Sequence, residues 1–140
     1  MPKKYLLDAS AIYPLLIKLR EKVIAHADKF LILDLTIYEV GNIIWKEYRR
    51  GKIKDVKSVS ELFEQMFNSI STLSIKNEIG KVLNLAIKEN LTFYDASYLQ
   101  AARTHKVKLV TEDQDLLKFP ESINVDRLLE ELINHKENRN

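Results

Sequence analysis

Four acidic residues stand where apolar runs give way to helical patterns. They are Asp8 in Leu6-Leu7-Asp8-Ala9-Ser10, Glu39 in Thr36-Ile37-Tyr38-Glu39, Asp95 in Phe93-Tyr94-Asp95-Ala96-Ser97, and Asp113 in Val110-Thr111-Glu112-Asp113. Each reads as the point at which a predicted strand hands over to a helix. Ligands of an open parallel α/β sheet bind outside the carboxyl ends of its strands, so acids distant in sequence can converge there. Carboxylates without His or Cys form an oxygen-only ligand set, which suits Mg²⁺ or Mn²⁺. A cation held that way can activate water and neutralise charge on a phosphoryl group during in-line displacement.

Each acid alone also has a structural explanation. Asp8 follows a strand and can cap the next helix. Thr36-x-x-Glu39 and Thr92-x-x-Asp95 both resemble a capping box, with an N-cap threonine and an acid at the third helical position. Asp113 and Asp115 fall at the start of a short helical turn, where the dipole favours negative charge. The joint placement shifts the balance. Two like charges about 4 Å apart repel by about 4 kcal/mol at an effective dielectric of 20. Such crowding calls for a cation or a raised pKa. Nearby candidates for support are Ser10, Asn42 and Thr111, which read equally as a helix cap, a surface amide and a strand end. Tyr38 and Tyr94 read as core or rim aromatics, and Trp45 as buried.

The elements that must position these acids alternate along the chain. Lys4 to Asp8 reads as a buried strand, and Ser10 opens a helical stretch in which Pro14 is tolerable only in the first turn. Phe30 to Leu35 is a second strand, and Thr36 starts an amphipathic helix with Ile37, Val40, Ile43, Ile44 and Tyr48 inward, ending at Gly51. Asp55 caps the next helix. Thr72 to Ile75 is a weak third strand. Helices follow over Lys76–Glu89, stopped by Asn90, and from Thr92 onward. Val107 to Thr111 and Ile123 to Val125 are the last strands, and Asp126 to Ile133 the last helix. This alternation predicts a parallel sheet with helices on both faces. Two full helices between strands three and four break simple up-down parity, so one of them must pack out of line.

Composition narrows the classes. With 140 residues, 46% hydrophobic and 30% charged, the chain reads as one globular domain, residues 1–134, followed by a frayed tail over 135–140. The absence of cysteine excludes a disulfide framework, a thiolate metal site and a cysteine nucleophile. His26, His105 and His135 are too scattered for a zinc site. Asp8 interrupts the N-terminal apolar run before a signal sequence can form, and no stretch is long enough to span a membrane, so a cytoplasmic location is expected. Net charge is only +2, yet Lys46, Arg49, Arg50, Lys52, Lys54 and Lys57 face only Glu47 and Asp55 between residues 46 and 57. That cluster reads as a solvated helix end or as a track for a phosphate backbone.

The order Leu-Leu-Asp8-Ala-Ser10, Thr36-x-x-Glu39-x-x-Asn42, Thr92-Phe-Tyr-Asp95-Ala-Ser-Tyr-Leu-Gln-Ala-Ala and Leu-Val-Thr111-Glu-Asp113-x-Asp115-Leu-Leu strongly resembles the PIN domain, in particular compact VapC-type toxins. The likeness runs from Leu6 to Val125. It implies a three-layer α/β/α sandwich around a five-stranded parallel sheet, and metal-dependent endoribonuclease activity. By position, Asp8, Glu39, Asp95 and Asp113 would be the acidic quartet, with Asp115 an additional candidate. The quartet would hold one or two Mg²⁺ or Mn²⁺ ions, and an activated water would cleave single-stranded or looped RNA to 5′-phosphate and 3′-hydroxyl ends. The resemblance favours Lys46, Arg49, Arg50, Lys52 and Lys54 as RNA contacts. It also implies a homodimer and a small antitoxin that places an arginine among the acids. A nuclease of RNA maturation or quality control and a non-catalytic RNA- or protein-binding module are the alternatives. A haloacid-dehalogenase-like phosphatase fits less well, because Ser10 stands where that family needs a second aspartate. A two-carboxylate glycosidase needs fewer acids than are present.

Overall fold

In the computed structural model residues 3–137 are described, with side chains to residue 134. The chain order is β1 (Tyr5–Leu7), α1 (Ala9–Leu19), a 3-10 stretch (Arg20–Lys29), β2 (Phe30–Leu33), α2 (Asp34–Arg49), α3 (Val56–Ser69), β3 (Ser71–Leu73), α4 (Ile79–Glu89), α5 (Phe93–His105), β4 (Lys108–Val110), α6 (Gln114–Leu117), β5 (Ser122–Ile123) and α7 (Val125–Glu137). The sheet is parallel throughout, in the order β3-β2-β1-β4-β5. Tyr5 pairs with Phe30 on one side and Lys108 on the other, which puts β1 at the centre.

Side chains alternate across each strand, and the two faces feed two separate cores. Tyr5, Leu7, Phe30, Ile32 and Val110 pack with α1, the 3-10 stretch, α3 and α7. Leu6, Leu31, Leu33 and Leu109 pack with α4, α5, Leu116 and Phe119. Burial on both faces is why β1 and β2 read as unbroken apolar runs. The result is the expected three-layer sandwich. Its parity problem is solved by α4, whose principal partner is α5 rather than the sheet, while α5 itself lies on β1 and β4.

Several local expectations need correction. β2 ends at Leu33, and α2 begins at Asp34, so Thr36 is the third residue of the helix and not its cap. Its hydroxyl reaches back to accept the Leu33 N–H at 3.1 Å. Asp8, not Ser10, caps α1. Pro14 lies well inside α1, where it deprives the carbonyl four residues earlier of its helical donor. Trp45 and Tyr48 are each 53% exposed and Ile37 42%, because α2 buries only a narrow stripe through Thr36 and Val40. The last helix runs to Glu137, past the expected end at Ile133. Residues 138–140 of the anticipated tail lie outside the described part, so that expectation is not decided there.

Candidate active site

The centre of the sheet's carboxyl edge is occupied by Asp8, which is 4% exposed. Its backbone N–H donates to the Val110 carbonyl, continuing the β1–β4 ladder by one residue. Its Oδ1 accepts the Ala11 N–H at 3.1 Å and the Ser10 hydroxyl at 2.6 Å. Ser10 Oγ in turn accepts the Glu112 N–H and lies 3.3 Å from Thr111 Oγ1. Thr111 Oγ1 accepts the Asp113 N–H at 3.0 Å. Ser10 and Thr111 thus tie the ends of β1 and β4 together around one carboxylate. Burial pushes the Asp8 carboxyl up to about 6, against the pull of the Ser10, Thr111 and Ala11 hydrogen bonds, and Glu39 adds repulsion.

Glu39 sits in the second turn of α2, too far from the helix start for the dipole to hold it. A side chain from α5 does so instead. Tyr98 donates its hydroxyl hydrogen to Glu39 Oε1 at 2.6 Å. Because that hydrogen is committed, the 2.8 Å contact between Tyr98 and Thr36 must run from the Thr36 hydroxyl to the phenolic oxygen. Thr36 accepts from Leu33 N–H, so a single directed chain runs from the end of β2 to the Glu39 carboxylate. Burial and the neighbouring Glu39 raise the Tyr98 pKa, which keeps the phenol protonated as a donor.

Asp95 does not follow a strand, contrary to expectation. It is the third residue of α5, and the element before it is α4. The capping prediction does hold here, with Thr92 Oγ1 accepting the Asp95 N–H at 3.1 Å. The carboxylate nonetheless reaches the same edge. Burial raises the Asp95 pKa, and repulsion from Asp113, then Glu39, then Asp115 raises it further. Asp113 caps α6 by accepting the Asp115 N–H at 2.8 Å, and Asp115 is exposed. The sequence-derived acids are therefore electrostatic neighbours: Asp8 feels Glu39, and Asp95 feels Glu39, Asp113 and Asp115. The N-termini of α1, α5 and α6 offset part of that repulsion.

The remaining candidates lie elsewhere. Asn42 is exposed on α2. Lys46 and Arg49 are exposed on the last turns of α2, and Arg50, Lys52 and Lys54 in the loop beyond. Lys46, seven residues past Glu39, is about 10 Å further along the helix axis. Arg50 pairs with Glu47 at 3.0 Å, and the Arg49 guanidinium lies 5.2 Å from the centre of the Trp45 ring. Sequence reading assigned Tyr98 no part in the site. The available signal was its spacing three residues after Asp95, on the side of α5 that faces the edge.

The donor set suits a hard cation. It is all oxygen, one member is buried with a raised pKa, and its members repel one another. Among the described residues no three His, Asp or Glu side chains are close enough as placed to cage an ion by themselves. Mg²⁺ needs no such cage, since it keeps several waters and takes one or two carboxylates.

Comparison with known proteins identifies the family and the fold. The PIN domain family model matches residues 5–122. Exonuclease VapC9 of Pyrobaculum aerophilum is 42% identical over 130 residues, covering 92% of this chain and 96% of the relative. Ribonuclease VapC3 of the same organism is 34% identical over 125 residues, covering 84% and 95%. The crystal structure of PAE2754 from Pyrobaculum aerophilum superposes with a TM-score of 0.85 at 41% identity, covering 96% of this chain and 99% of that one. A toxin-antitoxin complex from Klebsiella pneumoniae shares the fold, with a TM-score of 0.51 at 16% identity over 86% of this chain and 96% of that one. On the family match and on the VapC relatives that span nearly its whole length, the chain belongs to the PIN domain family.

Proposed function

We propose that this protein is a divalent-metal-dependent endoribonuclease that cuts single-stranded or looped RNA, and that it serves as the toxin of a toxin–antitoxin pair. The observation that carries the reading is the gathering of Asp8, Glu39, Asp95 and Asp113 at one sheet edge as electrostatic neighbours, with burial and mutual repulsion raising the carboxyl pKa values of Asp8 and Asp95. The VapC relatives named as nucleases support it.

Asp8, Glu39, Asp95 and Asp113 would hold one or two Mg²⁺ or Mn²⁺ ions, with Asp115 at the exposed rim. Asp113 is preferred to Asp115 as the fourth ligand because it acts more strongly on Asp95. When bound, the cation supplies charge neutralisation at a phosphoryl oxygen and lowers the pKa of a bound water. Ser10, Thr111 and the Ala11 N–H orient the Asp8 carboxylate. Tyr98 binds Oε1 of Glu39 and so sets the direction of Oε2. Neither a histidine nor a lysine is needed as general base, and the ribose 2′-hydroxyl plays no part in attack. Products therefore carry 5′-phosphate and 3′-hydroxyl ends.

Lys46, Arg49, Arg50, Lys52 and Lys54 fit as phosphate contacts for RNA leading away from the acids. A small antitoxin fits the same reading, since a guanidinium pairs well with clustered carboxylates, and so does assembly as a homodimer. A linear RNA incubated with the protein and Mn²⁺ should yield internal cuts with 5′-phosphate ends, and chelator should abolish them. Recovery of 2′,3′-cyclic phosphate ends would refute this route. The name of the 42% identical relative favours a second reading, exonucleolytic trimming. A covalently closed circular RNA separates the two, because an endonuclease opens it and an exonuclease leaves it intact.

A further inference from the structure

A pocket lies on the same edge of the sheet as the acids. Asp34 and Leu35 open α2, Ile75 and Lys76 follow β3, and Phe93 and Tyr94 open α5, and all six line one cavity of about 290 Å³. The acids follow β2, β1 and β4 and the helix start of α5, and this cavity lies beyond the ends of β2 and β3, the neighbouring stretch of the same carboxyl edge. Asp95 is the chain neighbour of Tyr94, and Glu39 lies one helical turn beyond Leu35. The volume falls at the small end of ligand sites, enough for one planar group rather than a length of chain.

The lining has a mixed chemistry. Leu35, Ile75 and Phe93 give apolar walls, and Tyr94 is 58% exposed although it is a large aromatic. Asp34 is exposed, and its carboxylate is anchored by accepting the Leu35 N–H at 2.9 Å. A carboxylate at the rim rejects a phosphate or an acidic peptide. It accepts from parallel N–H donors, which among the four RNA bases only guanine offers on its pairing edge. Lys76 beside it suits the phosphate that follows the base and works against an arginine as occupant. Resting on the nuclease reading above, we propose that this cavity is a base-binding subsite that takes a guanine of the RNA strand, with Tyr94 as stacking face and Asp34 as the group that reads the base edge.

Two fluorescein-labelled oligoribonucleotides test this, hexauridylate and the same hexamer with one central guanosine, titrated by anisotropy in chelator so that no cleavage intervenes. Wild type should bind the guanosine hexamer about tenfold more tightly, within the range of one stacking and edge-reading contact. Asp34→Asn should erase that preference, and Tyr94→Ala should weaken binding of the guanosine hexamer about tenfold. Both positions are exposed, so circular dichroism should show folded variants. Equal affinity of wild type for the two hexamers, or a Tyr94→Ala protein that binds like wild type, overturns the subsite and leaves a peptide side chain as the occupant. Cleavage of both hexamers in Mn²⁺ is scored separately. Cleavage without base preference removes the subsite and keeps the nuclease; preference without cleavage does the reverse.

Discussion

Asp8 is nearly inaccessible to solvent, and burial lifts its carboxyl from an ordinary value of 3.8 to about 6. The folded state therefore holds this proton more tightly than the unfolded chain does. The resulting stabilisation is fully present below pH 3.8 and is lost as the pH rises through 6, a swing of about 3 kcal/mol in the absence of a cation. Asp8→Asn cannot ionise, so in chelator it should be more stable than wild type at pH 8, by about 3 kcal/mol at most, with the gap closing toward pH 4. Urea unfolding of both proteins at pH 4, 6 and 8 measures this, and a gap independent of pH would contradict it. Added Mg²⁺ should raise the Tm of wild type more than that of Asp8→Asn, because only the wild type carries the buried Asp8 charge in addition to the other acids. Tyr98 is the other residue whose role is defined by single atoms. Tyr98→Phe removes the donor to Glu39 and leaves Thr36 without its acceptor, which should cost about 1–3 kcal/mol in stability. It should also slow cleavage at saturating RNA while leaving KM near the wild-type value, since the phenol orients an acid and touches no substrate.

Three of the four acids reach one place because of how three helices begin, and the fourth, Glu39, is held by Tyr98. Asp8 and Asp113 each cap the helix that follows a central strand, and Asp95 is held by the cap at Thr92. Thr92→Ala should destabilise the protein by about 1 kcal/mol in thermal or urea unfolding. These caps are why the acids were legible in the sequence: helix starts after apolar runs have recognisable residue types, and both Asp8 and Thr92 carry them. Other features were less legible for physical reasons. Asp95 follows α4 and not a strand, because Asn90, with its left-handed backbone, ends α4 and the next helix begins within three residues. Thr36 has the residue type of an N-cap, but its hydroxyl bonds backward to Leu33 from inside the helix, a choice made by the Tyr98 partner on another element. Trp45 and Tyr48 are apolar by type and lie exposed on α2, since helical periodicity gives a stripe but not its width. Pattern reading sees one element at a time, and the Thr36–Tyr98–Glu39 chain joins residues about sixty positions apart.

At the scale of the whole molecule the charge is nearly balanced but unevenly spread. Acids crowd the centre of the carboxyl edge, while Lys46 to Lys54 extend from the far end of α2. RNA held by that cluster should bind with an affinity that falls with salt, and the log–log slope should lessen by about 0.7 for each phosphate contact removed from a single strand. Replacing Lys46, Arg49 and Arg50 together with alanine, with affinity measured from 50 to 300 mM salt, tests whether the cluster belongs to the RNA path. An unchanged slope would return it to a solvated helix end. The account as a whole rests on the acids acting as one site with a divalent cation. Its most direct test is cleavage of a single-stranded RNA by wild type, Asp8→Asn and Asp95→Asn in Mg²⁺, in Mn²⁺ and in chelator. Wild type should cut in either metal and stop in chelator, and both variants should lose at least about a hundredfold, roughly 2.7 kcal/mol of barrier. Equal cleavage by all three proteins, or cleavage by wild type that persists in chelator, would contradict it.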